Sequence, residues 1–319
     1  MASITDVAKL ARVGTTTVSR VVNGNGYVAL ETKERVLKAI KELNYSTNFL
    51  GKSLKQCKSN LVALFIPTVN HPFFSNISYC IEDELAKLGY HMLLVNSQGF
   101  PEKEKNVLAM ISSGRVDGVI FITYYNHEID ASNLPVVTLD RHITGVPCIT
   151  SDNYEATMKA LNYLYDKGCR KIAFIGGKAA TESETTKRFT AYNDFCLANN
   201  LAKISSYEEM LHGEETQIAR DFLNINKDID ALFCTSDLFA YASYRILKEQ
   251  GRNVPTDVKI IGFDGVLNNM LPEPRITVVR QEIPAIAKSL VNNLIKRING
   301  ETCSAYEYVK TEFILGETA

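Results

Sequence analysis

Apolar residues near the N-terminus recur at helical spacing in three short stretches. Val7, Ala8, Leu10 and Ala11 fit one face of a first helix, with Asp6 favourable in its opening turn. Val13-Gly14 breaks that pattern. A second stripe follows at Val18, Val21 and Val22, set among Thr15, Thr16, Thr17, Ser19, Arg20 and Asn23. A third, from 30 to 43, places Val36, Leu37, Ile40 and Leu43 together. Two short helices joined by a Gly-containing turn form a helix-turn-helix, whose second helix enters the DNA major groove. Hydroxyl side chains at the start of that helix reach base edges, and Arg20 reaches base or phosphate. An ordinary helical hairpin is the competing reading of the spacing.

From residue 61 the pattern changes to apolar runs of four to seven residues alternating with amphipathic helical stretches. Strands are predicted at 61–67, 91–96, 118–123, 136–140 and 148–151, then at 171–175, 231–235 and 258–263. Helices are predicted at 73–88, 102–113, 154–167, 184–199, 216–223, 238–250 and 284–299. Short, continuously apolar strands between helices mean parallel sheets covered on both faces. The two sets of strands predict two doubly wound lobes with a cleft between them, so the fold class is α/β with an all-α N-terminal headpiece. In such sheets ligands sit beyond the carboxyl ends of the strands. Those ends carry Asn70 to Phe74, Asn96-Ser97, Tyr124-Tyr125, Asp140-Arg141, Asp152-Asn153, Ser236-Asp237 and Asp264. Carboxylates, an amide and aromatic rings converging there suit a polyhydroxylated ligand. Each aspartate alone also reads as a helix cap or turn residue, Asp152 and Asp237 most readily because helices follow them directly.

Charge sharpens this division. The 319 residues carry a net charge of −1, but residues 1–59 hold 10 Lys/Arg against 4 Asp/Glu, leaving 25 against 32 for the remainder. A basic head on an acidic body suits a segment that meets phosphates and a body that does not. Seven scattered cysteines, at 57, 80, 148, 169, 196, 234 and 303, form no C-x-x-C pair and read as free thiols of a reducing compartment. No apolar run is long enough to span a membrane and no signal peptide is visible. Gly51-Lys52-Ser53 lacks the glycine-rich cradle of a phosphate loop, and Gly24-x-Gly26 lacks its third glycine. No H-E-x-x-H or G-x-S-x-G occurs, so neither metal nor nucleophilic catalysis is expected, and no cofactor.

The strings T-D-V-A-K-L-A, T-V-S-R-V-V-N, G-Y-V at 26–28, E-T-K-E-R-V at 31–36 and E-L-N-Y at 42–45 resemble the headpiece of the LacI/GalR family of bacterial repressors. The likeness continues through the core in N-H-P-F-F, V-D-G-V-I, L-D-R, T-S-D and V-P-x-D-V-K-I-I-G-F-D. The resemblance implies a headpiece over 1–47, a hinge over 48–59 and an effector-binding, dimerising core over 60–319. Its first lobe would span about 60–155 and 279–305, its second about 156–278 and 306–319. Matching positions implies DNA contacts at Thr5, Thr15, Thr16, Thr17, Ser19, Arg20, Asn23, Tyr27 and Val28. In the hinge it implies Lys52, Leu54 and Lys55, with Leu54 wedged into the minor groove. Effector contacts would be Phe73, Phe74, Asp140, Arg188, Ser236 and Asp264, with Arg188 able to bond two adjacent hydroxyls in one plane.

Several positions depart from the family pattern. Arg12-Val13-Gly14 replaces the usual Gly-Val-Ser, Thr47 replaces a proline before the hinge, and Lys55 replaces a common alanine. Ser236 replaces a usual asparagine, and the segment around 210–213 is shortened. The resulting expectation is a cytoplasmic, non-enzymatic repressor of carbohydrate-utilisation genes. It would read a pseudo-palindromic operator as a homodimer and respond to a sugar or sugar phosphate. The 73–88 helix and the helix after Pro284 would form much of the dimer interface. The rival expectations are a plain sugar-binding protein and a regulator answering a protein corepressor.

Overall fold

The computed structural model describes residues 2–23, 26–45, 58–97, 100–122, 131–178, 183–209, 213–269 and 273–319. It divides into two compact units, Met1–Ser59 and Asn60–Ala319.

In the first unit, α1 (Ile4–Ala11), α2 (Thr15–Asn23) and α3 (Leu30–Glu42) pack around Val7, Ala8, Ala11, Val18, Val36 and Ala39. Ser3 caps α1 reciprocally: the Asp6 amide donates to its hydroxyl at 3.3 Å, and its own amide donates to the Asp6 carboxylate at 2.8 Å. The backbone hydrogen bond from Ser3 holds the Asp6 carboxyl below the usual range. Leu10 and Leu37, counted above among the core-facing positions, are instead 44% and 49% exposed. Three short helices enclose too little volume to bury every apolar residue that the periodicity selects.

Among the described residues the second unit holds two six-stranded sheets. The first has the order β11-β5-β4-β3-β1-β2 and the second β12-β10-β9-β8-β6-β7. The first-lobe strands are β1 (Leu61–Ile66), β2 (His91–Asn96), β3 (Gly118–Phe121), β4 (Val136–Leu139), β5 (Cys148–Ser151) and β11 (Tyr306–Val309). Helices α4 (Pro72–Lys87), α5 (Pro101–Ser112) and α10 (Ile283–Ile298) cover that sheet. The second lobe has β6 (Ile172–Lys178), β7 (Ile204–Glu209), β8 (Ala231–Cys234), β9 (Lys259–Asp264), β10 (Thr277–Arg280) and β12 (Glu312–Ile314). Its helices are α6 (Asn153–Asp166), α7 (Lys187–Ala198), α8 (Glu215–Ile225) and α9 (Asp237–Glu249). Both faces of each sheet are buried by separate apolar clusters, the reason the central strands are predominantly apolar rather than alternating.

Among the described residues the chain crosses between sheets three times: between β5 and α6, between β10 and α10, and between β11 and β12. The last crossing follows Val309 rather than residue 305, because Tyr306–Val309 pairs in parallel with Cys148–Ser151 in the first sheet. Every described pairing is parallel except β10 with β12, which is antiparallel. β7, β10, β11 and β12 were not anticipated from the pattern. β7 reads Ile-Ser-Ser-Tyr-Glu-Glu and lies at an edge where half-exposure favours polar residues, and β11 and β12 are likewise half-exposed edge strands of mixed sequence. Helix α10 spends its apolar face on the first lobe's own core, beside α4. Its outward stripe contains Lys288, Asn292 and Lys296.

Candidate functional site

The headpiece presents the expected DNA-reading residues together. Thr15, Thr16 and Arg20 are exposed on α2, Thr17 and Ser19 are half-buried, and Asn23 closes the helix. Thr5 is exposed on α1, Tyr27 is 91% exposed and Val28 is half-buried. The aliphatic stem of Arg20 runs beside Gly26, which adopts a φ of 85° where a side chain would be strained. The turn between α1 and α2 explains the departures there. Arg12 caps α1 in the left-handed region (φ 55°, ψ 47°), a conformation ordinarily given to glycine. Gly14 precedes α2, accepting at its carbonyl from the amides of Thr17 and Val18. Lys52, Leu54 and Lys55 lie outside the described residues.

In the core, Asp140 directly after β4 and Asp264 at the end of β9 both have left-handed backbone, at φ 59° and φ 88°. A branched polar residue held there costs conformational energy, and such strain concentrates at functional sites. Arg188, in the first turn of α7, favours the ionised form of both carboxylates by its charge. Its Nε donates to Asn153 Oδ1 at 2.7 Å, its Nη1 donates to the Thr235 carbonyl at 2.9 Å, and its guanidinium covers the Phe263 ring at 3.5 Å. The Thr150 hydroxyl donates to Asp140 Oδ1, and Gln281 Nε2 donates to Asp264 Oδ1 at 2.8 Å. Gln281 also accepts from the Ser151 hydroxyl at 2.6 Å, so one amide joins the end of β5 in the first lobe to the end of β9 in the second.

All these groups are buried, with Asp140 2% and Arg188 6% exposed. Burial pushes the Asp140 carboxyl up to about 6, against the opposing pull of Thr150 and Arg188. Burial also raises Asp264, with Arg188 and Gln281 pulling it back. Glu184, in the 3-10 turn Glu184–Thr186 before α7, accepts from Lys187 Nζ at 2.7 Å and lies 2.6 Å from His142 Nε2. Its amide donates to the Asp140 carbonyl at 2.9 Å.

Two expected positions behave differently from the reading above. Ser236, rather than Asp237, is the N-cap of α9. Asp237 instead accepts from the amides of Gly265, Val266 and Leu267 and so shapes the loop after β9. Asp152 likewise does not cap α6 through its side chain, and its carboxylate accepts from the Thr311 amide at 2.8 Å. Phe73 and Phe74 occupy the first turn of α4, packed edge to face in the first lobe's core and 4% and 3% exposed. Little of either ring is left to stack on a ligand. Gln281, Thr150 and Glu184 were not anticipated. Gln281 follows β10, a strand absent from the predicted set, so the strand-end rule never reached it.

Comparison with known proteins decides the family. Residues 3–48 match the model of the bacterial regulatory proteins of the lacI family, and residues 59–307 match that of the periplasmic binding proteins and sugar binding domain of the LacI family. The chain belongs to the LacI family of bacterial regulators. This LacI-family chain is 35% identical to the ribose operon repressor of Halalkalibacterium halodurans, over 100% of its own length and 97% of the relative's. A LacI-type regulator from Alkaliphilus metalliredigens, solved with D-xylulofuranose, is 31% identical, covers 81% of this chain and 98% of its own, and superposes with a TM-score of 0.70. The lac repressor dimer bound to operator and the anti-inducer ONPF shares the fold, with a TM-score of 0.87 at 23% identity over 99% of this chain and 98% of its own. The LacI-family assignment makes the chain a DNA-binding transcriptional regulator. No helix among the described residues is long and apolar enough to cross a membrane.

Proposed function

We propose that this LacI-family regulator is a repressor of carbohydrate-utilisation genes that acts in the cytoplasm, without catalysis. It binds a pseudo-palindromic operator as a homodimer, because one helix-turn-helix makes too few base contacts alone. A sugar-like effector lies between the lobes of the core and changes their relative orientation. The observation that carries the effector reading is the convergence of Asp140, Asp264 and Arg188, drawn from both lobes and held by buried hydrogen bonds. Carboxylates accept from neighbouring hydroxyls while a guanidinium donates to two oxygens in one plane. Phe73 and Phe74 offer the effector only the small exposed remainder of their rings in this reading, Ser236 is a secondary contact, and Thr5, Tyr27, Val28 and α2 are the DNA-contacting set. The ribose operon repressor is a relative along the whole chain, which supports a sugar as the regulated signal.

The deciding experiment is thermal unfolding of the purified protein against sugars, sugar phosphates and purines. A ligand at one hundred times its dissociation constant adds about 2.7 kcal/mol to the native state. A stabilising sugar that also changes the affinity for DNA from the protein's gene neighbourhood supports the proposal. Stabilisation by purines alone, or no preference for any such DNA, refutes it.

A further inference from the structure

The two lobes are bonded to each other at two kinds of place, and the kinds differ mechanically. At the crossing segments, the Ser151 hydroxyl donates to Gln281 Oε1 at 2.6 Å, and the Thr311 amide donates to the Asp152 carboxylate at 2.8 Å. These groups lie on or beside the segments about which one lobe can turn on the other, so a small rotation leaves their bonds in place. The second kind joins segments that the chain does not connect directly. The loop after β4 meets the turn before α7 across 42 residues of sequence, through His142 Nε2 and Glu184 Oε1 at 2.6 Å. Beside that contact the Glu184 amide donates to the Asp140 carbonyl at 2.9 Å.

Both contacts fall on one short turn, Glu184–Thr186, which leads straight into α7. The Glu184 carboxylate is buried and is held from its own lobe by Lys187. On the first-lobe side, Tyr306 stacks on the His142 ring and fixes the direction in which its Nε2 points. Arg188 follows in the first turn of α7, with its side chain bound inside the second lobe to Asn153 and the Thr235 carbonyl. It therefore moves with α7, whereas Asp140 stays with β4. Seating the turn on the loop after β4 brings the guanidinium and the Asp140 carboxylate into one buried site, and lifting it parts them.

We propose that His142 and Glu184 form a latch that holds the lobes together without a ligand, making His142 a positioning residue for the effector site. This rests on the reading of Asp140 and Arg188 as effector contacts. The effector meets a cleft already assembled and selects that arrangement instead of creating it. A loosened latch lowers the population of the assembled cleft, and apparent affinity falls with that population. The His142 side chain is 55% exposed, so its removal leaves the packing of both lobes intact.

The test is residue-resolved hydrogen exchange of the full chain, wild type against His142→Ala, with no ligand present. The Glu184 amide reports on the lobes, because its acceptor belongs to the other one. The Thr186 amide donates to the Ser183 carbonyl inside the same turn at 3.0 Å, and the Asp140 amide donates to the Ile149 carbonyl inside the first lobe at 2.9 Å. Those two report local unravelling. In His142→Ala the Glu184 amide exchanges about 10-fold faster, the scale of one bond to a carboxylate discounted for its exposed partner, while Thr186 and Asp140 are unchanged. An unchanged Glu184 amide, or equal acceleration of all three, overturns the latch. Thermal unfolding with D-ribose, D-glucose and sucrose tests the link to the effector. A sugar that stabilises the wild type stabilises His142→Ala less. Faster Glu184 exchange with equal stabilisation of both proteins keeps the latch but overturns the effector reading of Asp140 and Arg188.

Discussion

His142 Nε2 lies 2.6 Å from Glu184 Oε1, tying the loop after β4 in the first lobe to the turn before α7 in the second. The His142 ring is stacked on Tyr306 of β11, with centroids 5.4 Å apart and planes within 5°. Glu184 is 3% exposed while His142 is 55% exposed, so the contact is a buried carboxylate held by two partly solvated partners, the His142 ring and the Lys187 ammonium. Opening the lobes on this side requires that it break.

Glu184→Gln therefore destabilises the core by about 1–2 kcal/mol at neutral pH, the scale of charged hydrogen bonds discounted for exposed partners. The sign with pH follows from the carboxyl's shift. Burial pushes it up, but bonds from Lys187 and His142 more than offset this and hold it below the ordinary range. Its stabilisation is thus full above the unfolded-state pKa and lost as pH falls through the lower folded value. Thermal unfolding of both proteins from pH 7 to pH 3.5 should show the difference closing at the acid end. A difference independent of pH would contradict the ion-pair account.

Asp140 behaves in the opposite sense. Its carboxyl is raised to about 6 in the folded chain, so holding it ionised opposes folding above that pH, and its contribution improves as pH falls toward 5. A ligand hydroxyl that donates to the ionised carboxylate draws the value back down. Effector binding should release protons near pH 6 and weaken between pH 7.5 and pH 5.5. Calorimetry in buffers of differing ionisation enthalpy measures the released protons directly. Asp140→Asn should flatten the profile, and a wild-type profile already flat would exclude Asp140 from the contact.

Arg188→Ala removes the donor to Asn153 and Thr235 and uncovers Phe263. The effector response should be lost while DNA binding is retained, at a stability cost of about 1–3 kcal/mol. Arg188→Lys should not restore the response, since an ammonium cannot reproduce the planar fork. Loss of DNA binding by a folded Arg188→Ala protein would show that the headpiece and cleft do not act separately.

Arg12→Gly should stabilise the headpiece by about 1 kcal/mol, because a left-handed backbone costs an L-residue roughly that much and glycine little. The same change removes a cation beside α2, so DNA affinity should fall as stability rises. Denaturation of the full chain followed through the headpiece, with DNA titrations at two salt concentrations, separates the effects. A less stable Arg12→Gly headpiece would mean that the arginine makes a contact outweighing its backbone strain.

Thr16→Ala should weaken binding to the cognate operator by about 1–3 kcal/mol and leave binding to random DNA nearly unchanged, since base contacts specify and phosphate contacts position. Competition titrations measure both. Equal losses on the two DNAs would move Thr16 from base reading to backbone contact.

The division into headpiece and two-lobed core was legible in the sequence because it rests on local periodicity. Helical spacing marked α1 to α3, and continuous apolar runs marked the strands that both sheets bury on two faces. Asp140 and Asp264 were reachable because they stand at the ends of predicted strands and in the strings L-D-R and G-F-D, whereas Arg188 came only from matching positions to the family. What tertiary structure alone decided is which polar groups meet. Ser151 and Gln281 are 130 residues apart in the chain and 2.6 Å apart in the fold. Nothing in the local sequence of either marks the other. Asp237 looked like a helix cap and became the acceptor for three amides of a loop 28 to 30 residues onward. Leu10 and Leu37 fitted a buried face and stayed in solvent, because the volume of a three-helix core is a property of the packing. Periodicity reports which side of an element is apolar. Partner choice across the cleft depends on strand order and on where the chain crosses between lobes, and those are fixed by long-range closure of the sheets.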